Sequence, residues 1–293
     1  MLHAMSAIAQ EAVGVQVERK LETFAPGSNL IIYNPHGSIH IQGWDEGRLS
    51  VQAHRDGKPV DDAFVEIKRL ADGIEVNLRH HASRRFLGNL FGLLPPKKIE
   101  CDLTISAPRR VAADISAVNG SIDIFGLDGL VKCETVNGRI QLQNIAGQVE
   151  AKTINGSIAA VGIMPTLWER HNRASPNRLA GLRAESINGS IQLERLVGGA
   201  RANTTHGHIG AKQLDGQGQP INLESISGNI NIELTRAATE LATETMVGNI
   251  DIQLPNIRIL EEGRNKRTVF IPGRPNQMQR ISLKTVNGKI TVR

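Results

Sequence analysis

Short runs in which apolar and polar residues alternate cover most of the chain. The cleanest is Ile99, Cys101, Leu103 and Ile105, with a polar residue between each pair. Residues 15–22, 30–33, 38–44, 49–53, 64–67 and 73–78 carry similar runs. A period of two puts successive side chains on opposite faces, so these runs predict half-buried β-strands. From about residue 107 the runs become a repeat. Thr135-Val136-Asn137-Gly138-Arg139-Ile140 returns in variant form at eight places, with glycines at 120, 138, 156, 189, 207, 228, 248 and 288. A ninth, weaker copy is Asn34-Pro35-His36-Gly37-Ser38-Ile39. The glycine intervals are 18, 18, 33, 18, 21, 20 and 40, so the unit is 18 residues, and the two long intervals hold 15 and 22 more.

Alignment on the glycine exposes columns. Two residues after it stands Ile122, Ile140, Ile158, Ile191, Ile209, Ile230, Ile250 or Ile290. Three before it is a hydroxyl residue from Thr135 to Thr285, with Ala117 the exception. Four before it is polar: Ser116, Glu134, Lys152, Glu185, Asn203, Glu224, Glu244 and Lys284. One unit cannot bury its apolar side alone; units stacked about 4.8 Å apart can. The expected fold class is all-β: a single-chain, parallel β-helix-like β-solenoid with coils of about 18 residues. Asn side chains would bond amide to amide along the stack. The hydroxyl column would satisfy backbone groups at the bend. Glycine would supply a positive φ at the corner. The competing fold is an antiparallel meander, because Asn-Gly also closes two-residue hairpins. A meander does not require every column to recur, and here the Ile column survives where the corner reads His206-Gly207 or Val247-Gly248.

This reading divides the chain into 1–14, a leader or signal-peptide remnant; 15–106, an irregular β N-terminal part of the solenoid; and 107–293, the regular repeat. Insertions near 164–178 and 256–280 contain Ser175-Pro176-Asn177 and Pro272-Gly273-Arg274-Pro275. They are expected to project as loops without breaking the stack.

Composition narrows the function. Six Phe, two Trp and one Tyr leave few platforms for sugars or bases, which disfavours a glycan groove and a nucleic-acid surface. The net charge of +5 is unevenly spread. Residues 79–98, 164–183 and 256–280 carry +5, +3 and +4, so the remainder is −7. Basic interruptions on an acidic body fit loops that meet an anionic surface. Cys101 and Cys133 sit at apolar phases of their runs and read as buried thiols; a bond between them requires side-by-side coils. No stretch approaches the roughly 20 apolar residues of a membrane span. Ala7-Ile8-Ala9 before Gln10 has the small-x-small form of a signal-peptidase site, though only nine residues precede the cut. The expectation is an exported protein, in the periplasm or at the cell surface, whose signal peptide is truncated, with a cytoplasmic location as the alternative.

At Val118-Asn119-Gly120-Ser121-Ile122, Val136-Asn137-Gly138-Arg139-Ile140 and Ile154-Asn155-Gly156-Ser157-Ile158 the chain resembles the bacterial putative-adhesin family, a domain of unknown function. The run 99–108 before them and Gly37-Ser38-Ile39-His40-Ile41-Gln42-Gly43-Trp44-Asp45 upstream extend the likeness over about residues 15–293. The resemblance implies an exported β-solenoid and brings no catalytic residues with it. The basic insertions and the short leader depart from the family pattern.

Candidate chemistry is sparse. Glu134, Glu185, Glu224 and Glu244 share a column, and paired carboxylates can work on sugars, but Lys152 and Lys284 interrupt them and a solvated face is the expected role. His206 and His208 flank a corner glycine; a metal there needs a third ligand, and His206 is read as a substitute for the corner Asn. Residues 79–98 hold Arg79, Arg84, Arg85, Lys97 and Lys98, no acid, and Phe86, Leu87, Leu90, Phe91, Leu93 and Leu94 between. This stretch is read as a cover over an open part of the solenoid, or as an amphipathic element on anionic lipid, with Arg84, Arg85, Lys97 and Lys98 as the candidate partner-binding residues. The function expected is a non-enzymatic structural, adhesive or interaction role at the bacterial envelope. The alternatives are a polysaccharide-acting β-helix enzyme and an envelope sensor contacting anionic lipid through residues 79–98. No catalytic residue, cofactor, metal or nucleic-acid partner is expected. The partner would be an anionic envelope surface, a glycan or another protein.

Overall fold

Each repeat folds as one coil. Its first alternating run forms a strand, the Asn-Gly pair turns the chain, and the second run forms a shorter strand. The computed structural model describes residues 18–54, 63–80, 100–166, 181–234 and 237–293. The early strands are β1 (Glu18–Thr23), β2 (Asn29–His36), β3 (Ile39–Trp44), β4 (Arg48–His54), β5 (Ala63–Arg69), β6 (Gly73–His80) and β7 (Asp102–Pro108). The regular coils are β8 (Ala112–Asn119) with β9 (Ile122–Phe125), β10 (Val131–Asn137) with β11 (Ile140–Gln143), β12 (Gln148–Asn155) with β13 (Ile158–Val161), and β14 (Gly181–Ser186) with β15 (Ile191–Val197). They continue with β16 (Gly199–His206) and β17 (Ile209–Asp215), then β18 (Pro220–Ser227) and β19 (Ile230–Glu233). The chain closes with β20 (Ala237–Val247), β21 (Ile250–Ile252), β22 (Arg258–Glu262), β23 (Lys266–Ile271), β24 (Arg274–Asn287) and β25 (Ile290–Val292).

The strands form two sheets. One runs β1-β4-β7-β3-β9-β11-β13-β15-β17-β19-β25-β21, the other β22-β23-β20-β24-β18-β16-β14-β12-β10-β8-β2-β6-β5. Coils pair in parallel with like on like: Val131 with Val149, Thr135 with Thr153, Asn137 with Asn155, and Ile140 with Ile158. The two strands of one coil lie in different sheets, so Asn137-Gly138 is a solenoid corner and not a hairpin. Seven members of the Ile column have no exposed surface; Ile250, on the terminal coil, keeps some. The column extends through Ile39 to Leu103, so the N-terminal part holds two further coils, β2/β3 and β6/β7. The core lies between the two sheets, where like side chains stack from coil to coil.

The stack departs from chain order at both ends. β2 lies between β8 and β6, and β24 lies between β18 and β20. The last coil of the chain is therefore second from the end, and β20/β21 is outermost. Among the described residues antiparallel strands cover three of the four sheet ends: β4 on β7 and β1 on β4, β5 on β6, and β23 then β22 on β20. Residues 256–280, expected to project as a loop, thus contribute strands β22 and β23 and the start of β24. An uncovered parallel edge would expose a row of unpaired N–H and C=O groups, and the hairpin satisfies one such row. Of the other insertion, 167–180 lies outside the described residues; β12 and β14 on either side pair in unbroken register.

The reason for the corner glycine also differs from the expectation. Among the motif glycines only Gly37 and Gly248 have positive φ. What requires glycine is close approach: a Cβ on Gly138 would lie 1.9 Å from the carbonyl oxygen of Gly120, and one on Gly156 the same distance from that of Gly138. Left-handed φ occurs at the opposite corner, at Gly126 (72°), Asn144 (54°), Gly162 (72°), Arg195 (52°) and Gln213 (53°).

Candidate interaction face

The repeat uses most of its polar chemistry on itself. Thr135, Thr153, Ser186, Thr204, Ser225, Thr285 and Thr245 are buried. Each hydroxyl donates to the corner-glycine carbonyl of the neighbouring coil, at 2.8–3.2 Å. Beside this ladder the Asn137 amide donates to Asn119, Asn155 to Asn137 and Asn188 to Asn155, each at 2.8 Å. His36 ends the row, with its Nδ1 3.2 Å from the Asn119 amide. His206 takes the asparagine place further along, in register with Ser227.

What remains for a partner is the outer face of the thirteen-stranded sheet. Two residues before each glycine the side chain points outward, and there the repeat places Val118, Val136, Ile154, Ile187, Thr205, Ile226, Val286 and Met246. Ile154, Ile187, Ile226 and Met246 are 41%, 46%, 49% and 63% exposed. A single exposed Ile is ordinary; apolar residues at this position in seven of eight coils, broken only by Thr205, are not. The row forms one wall of a groove of about 680 Å³.

The charged column runs alongside. Its order in space is Ser116, Glu134, Lys152, Glu185, Asn203, Glu224, Lys284, Glu244, because β24 lies between β18 and β20. Intercalation of the last coil thus sets Lys284 between two carboxylates that are consecutive in the sequence, and its Nζ lies 3.4 Å from Glu244. Lys152 lies 2.7 Å from Glu150 and 3.9 Å from Glu134; Lys132 lies 3.6 Å from Glu134 and Arg183 2.8 Å from Glu185. The Lys152 hydrogen bond holds the Glu150 carboxyl below its usual range, and the same bond raises Lys152. The hydrogen bond to Glu185 raises Arg183. These shifts hold the groups charged, the opposite of the tuning toward neutrality that acid–base catalysis needs.

The other candidate residues fall as follows. Arg84, Arg85, Lys97 and Lys98 lie outside the described residues. Within 256–280, Lys266 pairs with Glu261 at 3.0 Å, Arg267 with Glu262, and Arg280 with Glu240 at 3.5 Å; much of that positive charge is therefore met within the chain. His208 accepts the Asn229 N–H on Nδ1 at 2.9 Å, which turns the ring along the stack. Cys101 and Cys133 are both buried, and neither is in a disulfide. Burial first, then nearby Glu134, pushes the Cys133 thiol far up, so it stays protonated and inert. Among the described residues no helix is long and apolar enough to cross a membrane. No group of three or more His, Cys, Asp or Glu gathers there as a metal site requires.

The exposed apolar row escaped the sequence reading, although its signal was present. The alternation places that position on the face opposite the buried Ile and Val columns, and an apolar residue recurs there in seven of eight copies.

Comparison with known proteins agrees with this architecture. Residues 173–293 match the family described as Toastrack DUF4097. Among solved structures, a putative adhesin from Bacteroides fragilis NCTC 9343 matches with a TM-score of 0.52 and 13% identity, over 95% of this chain and 97% of that one. A putative adhesin from Parabacteroides merdae ATCC 43184 matches with a TM-score of 0.38 and 13% identity, over 95% and 96% of the two chains. A putative cell adhesion protein from Clostridium sporogenes ATCC 15579 matches with a TM-score of 0.32 and 10% identity, over 94% and 99%. The Bacteroides likeness is one of fold: an all-β solenoid of two long, mostly parallel sheets. The search of curated proteins finds no match.

Proposed function

We propose that this chain, a β-solenoid with a Toastrack DUF4097 domain over its C-terminal part, is a non-enzymatic interaction scaffold of the bacterial cell envelope. The observation that carries the reading is the apolar row Val136, Ile154, Ile187, Ile226 and Val286, interrupted only at Thr205, beside a column of alternating charge. Such a surface is costly to leave in water, and it persists coil after coil although one outward Lys or Glu per repeat would remove it. Glu150, Lys152 and Arg183 beside it are held in their charged forms by their ion pairs, which suits a recognition surface better than a catalytic one. The putative adhesin from Bacteroides fragilis that shares the fold supports an envelope location.

Binding of the purified protein to isolated bacterial envelopes tests this. Ile154→Asp, Ile187→Asp and Ile226→Asp together should abolish co-sedimentation while leaving the strand signal in circular dichroism intact. Binding that survives the triple substitution contradicts the reading. The basic segment is a separable contribution. If Arg84, Arg85, Lys97 and Lys98 meet an anionic surface, neutralising them should weaken binding at low salt and have little effect at high salt, where screening acts within about 8 Å or less.

A further inference from the structure

We infer that the occupant of the outer face is a second copy of this chain, packed antiparallel about a two-fold axis between β14 and β16. The inference rests on that face being the interaction surface, and it names the partner. Eight coils carry the apolar row and the charged column, in the spatial order β8, β10, β12, β14, β16, β18, β24, β20, and the sheet continues beyond β8 into β2 and β6. A two-fold axis in the plane of contact, parallel to the strands and midway along this row, lays first on eighth, second on seventh, third on sixth and fourth on fifth. It keeps each column over itself.

The charged column is complementary under that operation. Glu134 falls opposite Lys284 of the second copy, Lys152 opposite Glu224, and Glu185 opposite Asn203, each twice by symmetry. Ser116 meets Glu244. No rung of this column opposes like charges. The apolar row answers in the same register: Val136 over Val286, Ile154 over Ile226, and Ile187 over Thr205. In the next column Arg183 comes over Arg201, the one like-charge contact among these eight strands, and Arg183 is already paired with Glu185 at 2.8 Å. The match depends on the intercalated last coil. In chain order Glu244 would stand seventh, opposite Glu134, and Lys284 eighth. Interfaces with two-fold symmetry are isologous and require this kind of self-complementarity.

Eight strands about 4.8 Å apart make the face about 34 Å long. Three columns across give roughly 1,200 Å² in total for two copies, the lower end of specific interfaces. A dimer that dissociates in the micromolar range is expected.

Charge exchange with sedimentation velocity over about 1–200 µM tests the register. Lys152→Glu should weaken self-association about tenfold or more, because it opposes Glu to Glu twice. Adding Glu224→Lys on the same chain should restore it to within about threefold of the parent. Within one chain these residues are three coils, about 14 Å, apart, beyond the screening length of about 8 Å, so rescue reports contact between copies. Glu134→Lys with Lys284→Glu repeats the test one rung out, should Lys152→Glu impair folding. A parent that stays monomeric at about 200 µM overturns the inference, as does a double variant no better than the single. A monomeric parent whose envelope binding still depends on Ile154, Ile187 and Ile226 would remove the second copy and leave the scaffold reading standing. Rescued dimerisation with envelope binding indifferent to those residues would do the reverse.

Discussion

At the residue scale the repeat is held by two contacts that recur along the Asn-Gly corners, the second missing only where Ala117 replaces the hydroxyl residue. The first is glycine against the carbonyl of the neighbouring coil. Because Gly138 does not have a left-handed φ, asparagine, which tolerates such corners, should fare no better there than alanine. Gly138→Asn and Gly138→Ala should both lose about 1–3 kcal/mol, the scale of overpacking, read from urea midpoints. Tolerance of asparagine with failure of alanine would restore the φ explanation. The second contact is the hydroxyl bond. Thr153→Val keeps the shape and leaves the Gly138 carbonyl without its donor, so about 1 kcal/mol should be lost; an unchanged midpoint would mean that water or relaxation replaces the bond. The hydroxyl column was legible in the sequence because a repeated Ser or Thr beside a turn has few other uses. The reason for the glycine was not, because close approach between coils depends on which carbonyl lies opposite, and that is set by stacking rather than by neighbours in the chain.

At the element scale the ends carry the departures from chain order. The interval of 40 residues before Gly288 reads in the sequence as one coil with a long insertion. Its inserted part is the hairpin β22–β23, laid antiparallel on β20. Alternation in residues 258–262 and 266–271 is weak, and all of β22 is exposed, so no buried face marked it as strand. Replacing residues 256–273 by a short Gly-Ser linker should leave the strand signal of the coils and a cooperative melt, because coils contact only their neighbours. It should also uncover the edge of β20 and produce concentration-dependent oligomers larger than the parent's dimer by light scattering. A variant that melts without cooperativity would show that the hairpin belongs to the core; one that stays as soluble as the parent would show that it does not guard the edge.

At the scale of the whole molecule, architecture was far more legible than function. An Ile that recurs two places after each glycine fixes parallel register once stacking is assumed, and the stack obeys it from Leu103 to Ile250. The interaction face was half legible: the charged column was visible, but its alternation near Lys284 exists only in space. Exposed ion pairs of this kind shape the response to pH more than total stability. Glu150 and Asp251 have lowered folded-state pKa values, through Lys152 and Lys289, so their contribution is present above the unfolded values and lost as acid protonates them. Lys152 and Arg183 are raised, so theirs is present below the unfolded values and lost in strong base. Urea midpoints should therefore be flat between about pH 5 and 10 and fall on both sides; a fall centred near pH 6.5 would point to histidine instead. The order of the last coils bears on everything proposed for the face, since it makes the charges alternate and sets the register of a second copy. Paired cysteines read that order directly. Asn222 and Ser282 are outward-facing register partners on β18 and β24, at the spacing of adjacent strands, about 4.8 Å, within reach of a disulfide. Asn222 and Ala242 stand two strands apart, at about 9.6 Å, beyond it. Oxidation should join Asn222→Cys to Ser282→Cys within one chain and leave Asn222→Cys with Ala242→Cys unjoined; the opposite result would return the coils to chain order and contradict the account.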